Sequence, residues 1–292
     1  MPHRARWAVR TELEAFSKTA LLASPEGVYA VGRSGRVGLV VLLDKALGDV
    51  VKTQRVEEAP LCAVAGGEVY CHVSNKFYIF GKNLELLGVR RTGKRCFDLV
   101  FDGERVFCVE REEVTVFDAE LARERLIRVG GCDGAFFNYA TGQTWLTCGD
   151  RVLIYRGASR EAEAQIKPTS RLVSFDEEGY GYLTGYVGDI LGTYRVGPDG
   201  HIEERYRAVP LFFCGGYFYR PDVDSGPLFD TFIVYNSKLF RVGAVDLLAR
   251  LMSDGDETYR AACDGSMLYI AAMDRRRRGR VVALGPVGED RA

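Results

Sequence analysis

The sequence predicts an all-β protein, a seven-bladed β-propeller of four-stranded antiparallel blades over residues 1–292 as one domain. Three observations carry that prediction. Apolar runs are four to six residues long, rich in Val, Tyr, Phe and Leu, and broken by Gly or Asp-Gly, which is strand spacing and not helix spacing. Run ends recur at a period of about 40 residues, the length of one propeller blade. Turn glycines keep the same beat.

The run ends come first. They are Leu43 before Asp-Lys-Ala-Leu, Phe80 before Gly-Lys-Asn-Leu, Phe117 before Asp-Ala-Glu-Leu, Tyr155, Val196, Val242 and Leu284, with steps of 37, 37, 38, 41, 46 and 42 residues. Turn glycines precede an apolar strand at Gly27, Gly67, Gly103, Gly142, Gly179 and Gly265, and the sixth repeat is irregular. Each unit then reads strand, Gly turn, strand, short loop, strand, turn, strand, four antiparallel strands per repeat. A 3.6-residue period can be laid over residues 122–129 or 245–252, but both lie inside strand-rich repeats and read as strands or short turns. A pair of two-sheet sandwiches would not require the period.

The chain ends provide an independent check. After Leu284 only Gly-Pro-Val-Gly-Glu-Asp-Arg-Ala remains, too short and polar for the last blade's fourth strand. Trp7 to Thr11 precede the first repeat and have no partner there, so they are expected to complete the seventh blade from outside. Such closure removes a sheet edge that would otherwise invite aggregation.

By this period the chain resembles the seven-bladed β-propeller superfamily, the WD40-like and quinoprotein-like propellers in particular. The strand ends Phe-Asp-Ala-Glu-Leu (Phe117–Leu121) and Leu-Leu-Asp-Lys-Ala-Leu (Leu42–Leu47) are similar to quinoprotein-type blades, where a strand meets an Asp turn. No Trp-Asp strand end, Gly-His pair or kelch double glycine is present, so no family's site residues transfer.

Composition narrows the function classes. A net charge of −1, with 47% apolar and 27% charged residues, gives no global argument for a nucleic-acid or membrane protein. No apolar run approaches the ~20 residues that span a bilayer, and the first residues lack a signal peptide's apolar core; a soluble cytoplasmic protein is expected. Arginine outnumbers lysine 31 to 8, and Asn and Gln together number seven. Scarce thermolabile amides suggest a thermophile, although a GC-rich genome would explain the arginine equally well.

Cysteine is the most patterned residue. Cys62, Cys96 and Cys132 are spaced 34 and 36 apart, and Cys71, Cys108 and Cys148 are spaced 37 and 40 apart. Both sets move with the repeat and read first as small apolar filler between blades. One pair invites more. If Gly66-Gly67 is a two-residue turn, Cys62 and Cys71 face each other across a hairpin, where a disulfide could form. No Cys-x-x-Cys or zinc spacing occurs, and no metal or other cofactor is expected. His3, His72 and His201 are scattered and read as structural. Asp222, Asp224 and Asp230 could meet a cation, but a solvated loop is the simpler reading.

Arginine carries the functional expectation. In up-down blades, loops joining second to third strands open on the same face as the links between blades. The seventh unit's loop holds Arg275, Arg276, Arg277, Arg278 and Arg280, the first unit's holds Arg33 and Arg36, and the link between units two and three holds Arg90, Arg91, Lys94 and Arg95. The third unit's loop, Glu110–Glu113, is mainly acidic. Guanidinium forks suit carboxylate and phosphate. The expected function is a non-enzymatic protein-interaction scaffold whose Arg-rich face meets an acidic protein or nucleic acid; few aromatics interleave, which weakens a single-strand reading. The alternative is an enzyme, a hydrolase or lyase, with its site at the mouth of a central channel. Fold alone does not choose.

Overall fold

A computed structural model describes residues 3–206, 212–222, 228–252 and 259–286. Among these residues it contains 28 strands and no helix, in seven antiparallel sheets of four. The chain packs as two compact units. One comprises Met1–Pro60, Phe80–Leu86 and Phe212–Ala292, and the other Leu61–Ile79 and Leu87–Leu211.

The first unit holds blades one, six and seven. Blade one is β2 (Ala15–Ala23), β3 (Val28–Ser34), β4 (Val37–Leu43) and β5 (Val50–Val56). Blade six is β22 (Phe212–Cys214), β23 (Tyr217–Pro221), β24 (Leu228–Asn236) and β25 (Arg241–Met252). Blade seven is β26 (Tyr259–Cys263), β27 (Leu268–Met273), β28 (Gly279–Pro286) and, outermost, β1 (His3–Arg10). The N-terminal strand therefore closes the last blade, pairing from His3 opposite Pro286 to Arg10 opposite Arg280. Trp7 fixes it to blade one: its indole N–H donates to the Lys45 carbonyl at 2.9 Å, and its ring lies against Gly48, where an added Cβ would come within 2.5 Å. A buried core fills the space between blades one and seven, including Trp7, Val28, Leu39, Tyr269 and Val281.

The second unit holds blades two to five. These are β6 (Leu61–Ala65), β7 (Glu68–Val73), β8 (Lys76–Phe80) and β9 (Leu86–Arg91); β10 (Asp98–Phe101), β11 (Arg105–Val109), β12 (Glu113–Asp118) and β13 (Arg123–Arg128); β14 (Cys132–Asn138), β15 (Gln143–Cys148), β16 (Arg151–Arg156) and β17 (Ser159–Ala164); and β18 (Lys167–Phe175), β19 (Gly181–Val187), β20 (Ile190–Val196) and β21 (Ile202–Tyr206). Its cores again lie between neighbouring blades: Tyr70, Phe77, Leu99 and Val106 between two and three, Val114, Leu146 and Leu153 between three and four, and Trp145, Ile154 and Leu183 between four and five. Trp145 is fully buried and meets Phe175 edge-on at 5.1 Å.

This layering explains the apolar runs. A strand covered on both faces by other blades must be apolar on both sides, and β4, β7 and β15 are buried almost end to end. The outer strands β9, β13 and β21 are mostly exposed; β13 and β21 are also mostly polar, whereas β9 leaves Leu86, Leu87 and Val89 exposed. Residues 122–129 and 245–252, ambiguous by periodicity, contribute to the outer strands β13 and β25.

The run ends have a common geometry. Leu43 pairs with Val50, Phe117 with Arg123, Tyr155 with Arg160 and Val196 with Ile202, each at a register shift. In blade six the equivalent pair is Tyr235 with Arg241. Val242, the expected sixth anchor, lies instead in β25, so the step from Val196 is 235 − 196 = 39 residues and the next is 284 − 235 = 49. Val242 lies in the exposed start of β25, which is 12 residues long and buries Val245, Leu247 and Leu251 further along. Beyond Leu43, Phe117 and Tyr235 the Asx turn has a physical cause. Asp44 Oδ1 accepts from the Ala46 and Leu47 amides, Asp118 Oδ1 from Glu120 and Ala122, and Asn236 Oδ1 from Lys238 and Phe240, the self-capping that makes Asx residues turn formers. The sixth repeat also has its glycine turn, Gly215-Gly216, both at positive φ, as a tight hairpin turn requires.

All eight cysteines are paired, so filler is not their role. Gly66-Gly67 forms the two-residue turn, Cys62 stands opposite Cys71, and their sulfurs are bonded at 2.02 Å. Cys132 and Cys148 do the same in blade four, and Cys96, in the link just before β10, is bonded to Cys108 of β11 in blade three. The two periodic cysteine sets are thus the two halves of three intra-blade disulfides. The fourth, Cys214–Cys263, breaks the pattern by joining the innermost strands of blades six and seven.

Candidate anion-binding surface

The arginine loop is built on one buried carboxylate. Asp274 ends β27 and is 8% exposed. Its Oδ1 accepts from the Arg276 amide at 2.8 Å and the Arg278 amide at 3.0 Å, and its backbone exchanges bonds with Arg277 and Arg278. Arg277 takes φ 54° to complete the turn, a conformation that costs a side-chain-bearing residue about 1–2 kcal/mol. Burial pushes the Asp274 carboxyl upward, but the amides of Arg278 and Arg276 and the charges of Arg280 and Arg10 outweigh it and hold it below its ordinary value. Asp274 Oδ2 lies 3.6 Å from Arg280 and 4.0 Å from Arg10. The carboxylate therefore offsets those two charges, while the four guanidiniums of Arg275 to Arg278 are exposed on a braced loop.

The β3–β4 turn stands beside them. Arg33 Nη1 donates to the Gly35 carbonyl, and the Gly35 amide donates to Glu14 Oε2 at 2.8 Å. Arg33, Arg276, Arg277 and Arg278, with Glu14 and Gly35, line a depression of about 440 Å³. A second, of about 320 Å³, is lined by Arg10, Asp274, Arg275, Arg276 and Arg280. Arg276 borders both, so the arginines form one continuous surface. Arg36 is exposed in the same turn.

Several arginines of the second unit are committed elsewhere: Arg105 to Glu104 and Glu124, Arg156 to Glu161, Arg160 to Glu163, and Arg195 to Glu178 and Glu203. Among the described residues, no carboxylate lies within ion-pair distance of Arg33 or Arg275 to Arg278. These five are uncommitted charge.

The other basic residues singled out from the sequence lie in the second unit. Arg90 and Arg91 end the exposed β9, and Arg95 is exposed in the following link. Lys94 is not free: its ammonium is 2.5 Å from Glu113 and 3.3 Å from Glu110. The Glu113 bond first, then Glu110, raises it above the ordinary lysine value despite some burial. The acidic loop after β11 thus neutralises one member of the expected basic set. His72 is buried, its Nε2 lies 3.0 Å from the Lys94 carbonyl, and burial holds the ring below its usual value. His201 sits exposed in a turn, and the His3 side chain lies outside the described residues. Asp222 bonds to Thr231 through its backbone, Asp230 is exposed, and Asp224 lies outside the described residues. Among the described residues, no group of three or more His, Cys, Asp or Glu side chains is placed to hold a metal ion, and no helix is long and apolar enough to cross a membrane.

Sequence reasoning missed Glu14, Arg10 and Asp274 as parts of this surface. Asp274 was legible in principle, since an Asx residue three positions before a left-handed turn residue recurs at Asp118 and Asn236. Glu14 was not, because it meets Gly35 through the pairing of β2 with β3 at Ala15 and Arg33, whose register shifts between Phe16 and Leu21.

No protein-family model and no curated protein matches the chain. Solved structures do match. The crystal structure of BamB from Moraxella catarrhalis superposes with a TM-score of 0.58 at 10% identity, over 98% of this chain and 100% of that one. At that identity the likeness concerns the fold. The chain's seven four-stranded antiparallel sheets are the blades of a seven-bladed β-propeller fold, the fold its own period pointed to.

Proposed function

We propose that the protein is a non-enzymatic interaction scaffold whose Arg-rich face meets an acidic protein or nucleic acid. The observation that carries the reading is the contrast in pairing: Arg105, Arg156 and Arg195 are tied to carboxylates, whereas Arg33 and Arg275 to Arg278 converge on one surface with none in reach among the described residues. Unpaired guanidiniums held by a braced turn lose little freedom on meeting a planar anion. Arg36 and Arg280 extend this surface, and Arg90, Arg91 and Arg95 offer further unburied charge in the second unit. The test is salt dependence. Binding of the chain to an anionic matrix should fall steeply between 50 and 200 mM salt, on the scale expected for several released counterions, and replacing Arg275 to Arg278 by Ala should remove most of it. Retention that ignores both changes refutes the reading.

The four disulfides bear on where the protein works. Disulfides persist in oxidising compartments and in the cytosol of hyperthermophiles. The cytoplasm of a heat-adapted cell reconciles the paired cysteines with the scarce amides and is the location we propose. Recovery of the protein from outside the cytoplasmic fraction of its own cells would overturn that location.

A further inference from the structure

Resting on the anionic-partner reading, we infer that the arginine depression takes a short acidic peptide segment and not a nucleic-acid backbone. Three features of the depression favour carboxylates over phosphodiesters. First, Glu14 lines it together with Arg33, Arg276, Arg277 and Arg278, beyond ion-pair distance of each, its carboxylate held by the Gly35 amide at 2.8 Å. That fixed negative charge would repel a polymer with a charge every ~1.7 Å of axis, but it leaves room for side-chain carboxylates spaced along an extended peptide.

Second, no aromatic ring lines either depression. Base stacking, the main sequence-tolerant source of single-strand affinity, has no platform there. Third, the uncommitted charge is compact. The two depressions share Arg276, and the acidic Asp274 interrupts the second. A duplex backbone needs a long basic track, whereas two or three peptide carboxylates need only a few guanidinium forks.

An extended peptide also suits the walls. Strand alternation places every second side chain on one face, so Glu or Asp at alternate positions would reach Arg33 and Arg276 to Arg278 while the intervening residues face solvent. The amide of Gly35, which lines the first depression, is already occupied by Glu14. Recognition therefore falls to the guanidiniums.

Fluorescence anisotropy with the full chain tests this, using labelled hexaglutamate, a labelled 12-nucleotide single strand and a labelled 12-base-pair duplex at matched ionic strength. Hexaglutamate should bind more tightly than either nucleic acid. Arg276→Ala with Arg278→Ala should weaken it about tenfold, as the loss of two solvent-facing charge pairs implies. Arg128→Ala, an exposed arginine on β13, should leave it unchanged, and Glu14→Gln should strengthen nucleic-acid binding more than peptide binding. Thermal melts check that each variant is folded. Nucleic acid binding more tightly than hexaglutamate, with the same arginine dependence, overturns this inference and leaves the anionic face intact. Binding of no probe, or equal loss with Arg128→Ala, overturns both.

Discussion

Replacing Cys214 by Ala together with Cys263 by Ser should destabilise the protein more than removing any other disulfide. Cys214–Cys263 closes a loop of 49 residues and Cys62–Cys71 one of 9. The loop-entropy relation makes the first worth about 4 kcal/mol and the second about 2.6 kcal/mol. The long bond also has a mechanical role that the short ones lack. Cys62–Cys71 and Cys132–Cys148 join residues already paired across a hairpin, so a hydrogen-bonded ladder duplicates their constraint. Cys214–Cys263 joins the ends of β22 and β26 in different sheets, where no ladder does so. A loss of about 4 kcal/mol should lower the melting midpoint by about 8–16 °C for a chain of this size. Non-reducing thermal and urea unfolding of the double variant, beside Cys62→Ala with Cys71→Ala, reads the difference. An equal or greater loss for the Cys62–Cys71 variant would refute the reasoning. Access supplies a second readout: Cys263 is exposed while the other seven cysteines are buried. Mild reduction followed by alkylation and mass spectrometry should therefore label Cys214 and Cys263 first.

Three further outcomes are expected. Burial alone would raise Asp264, but the Lys45 ammonium, the Met267 and Ser266 amides and the Tyr269 hydroxyl bring it down to about 2. A carboxyl depressed in the folded state contributes stability above its unfolded value of about 3.9 and loses it as pH falls through about 2. Asp264→Asn should flatten that part of the stability curve, and an unchanged acid limb would contradict the assignment. Gly48→Ala, at φ 77° and against the Trp7 ring, should cost about 1–3 kcal/mol by strain and overpacking, read as a lower urea midpoint. Arg277→Gly should leave stability unchanged or raise it by up to about 1 kcal/mol, because it relieves a left-handed φ, while weakening hexaglutamate binding; a loss of both would make Arg277 structural.

The blade period, the closing N-terminal strand and the Cys62–Cys71 register were legible in the chain itself. The period and the cysteine register are local: hairpin turns need glycine at positive φ, and a strand covered on both faces must be apolar along its length, so the pattern repeats wherever the blade does. The closing strand, pairing His3 with Pro286 and Arg10 with Arg280, was legible only because the last repeat lacks a fourth strand of its own. Blade six was misread by one strand because β25 is 12 residues long and its exposed start, around Val242, reads like the end of an apolar run, while its buried Val245, Leu247 and Leu251 come later. The pairing of the periodic cysteines was half visible, since each residue of one set precedes one of the other within a blade. Cys214–Cys263 was not, because the two residues meet only when blades six and seven pack. The arginine loops could be listed from the sequence, but not which charges remain available. Tertiary structure decided that Lys94 is consumed by Glu110 and Glu113, that Asp274 braces the turn and offsets Arg10 and Arg280, and that Glu14 enters the depression. Charge is written in the sequence; whether it is already neutralised depends on which carboxylates the fold brings within 4 Å.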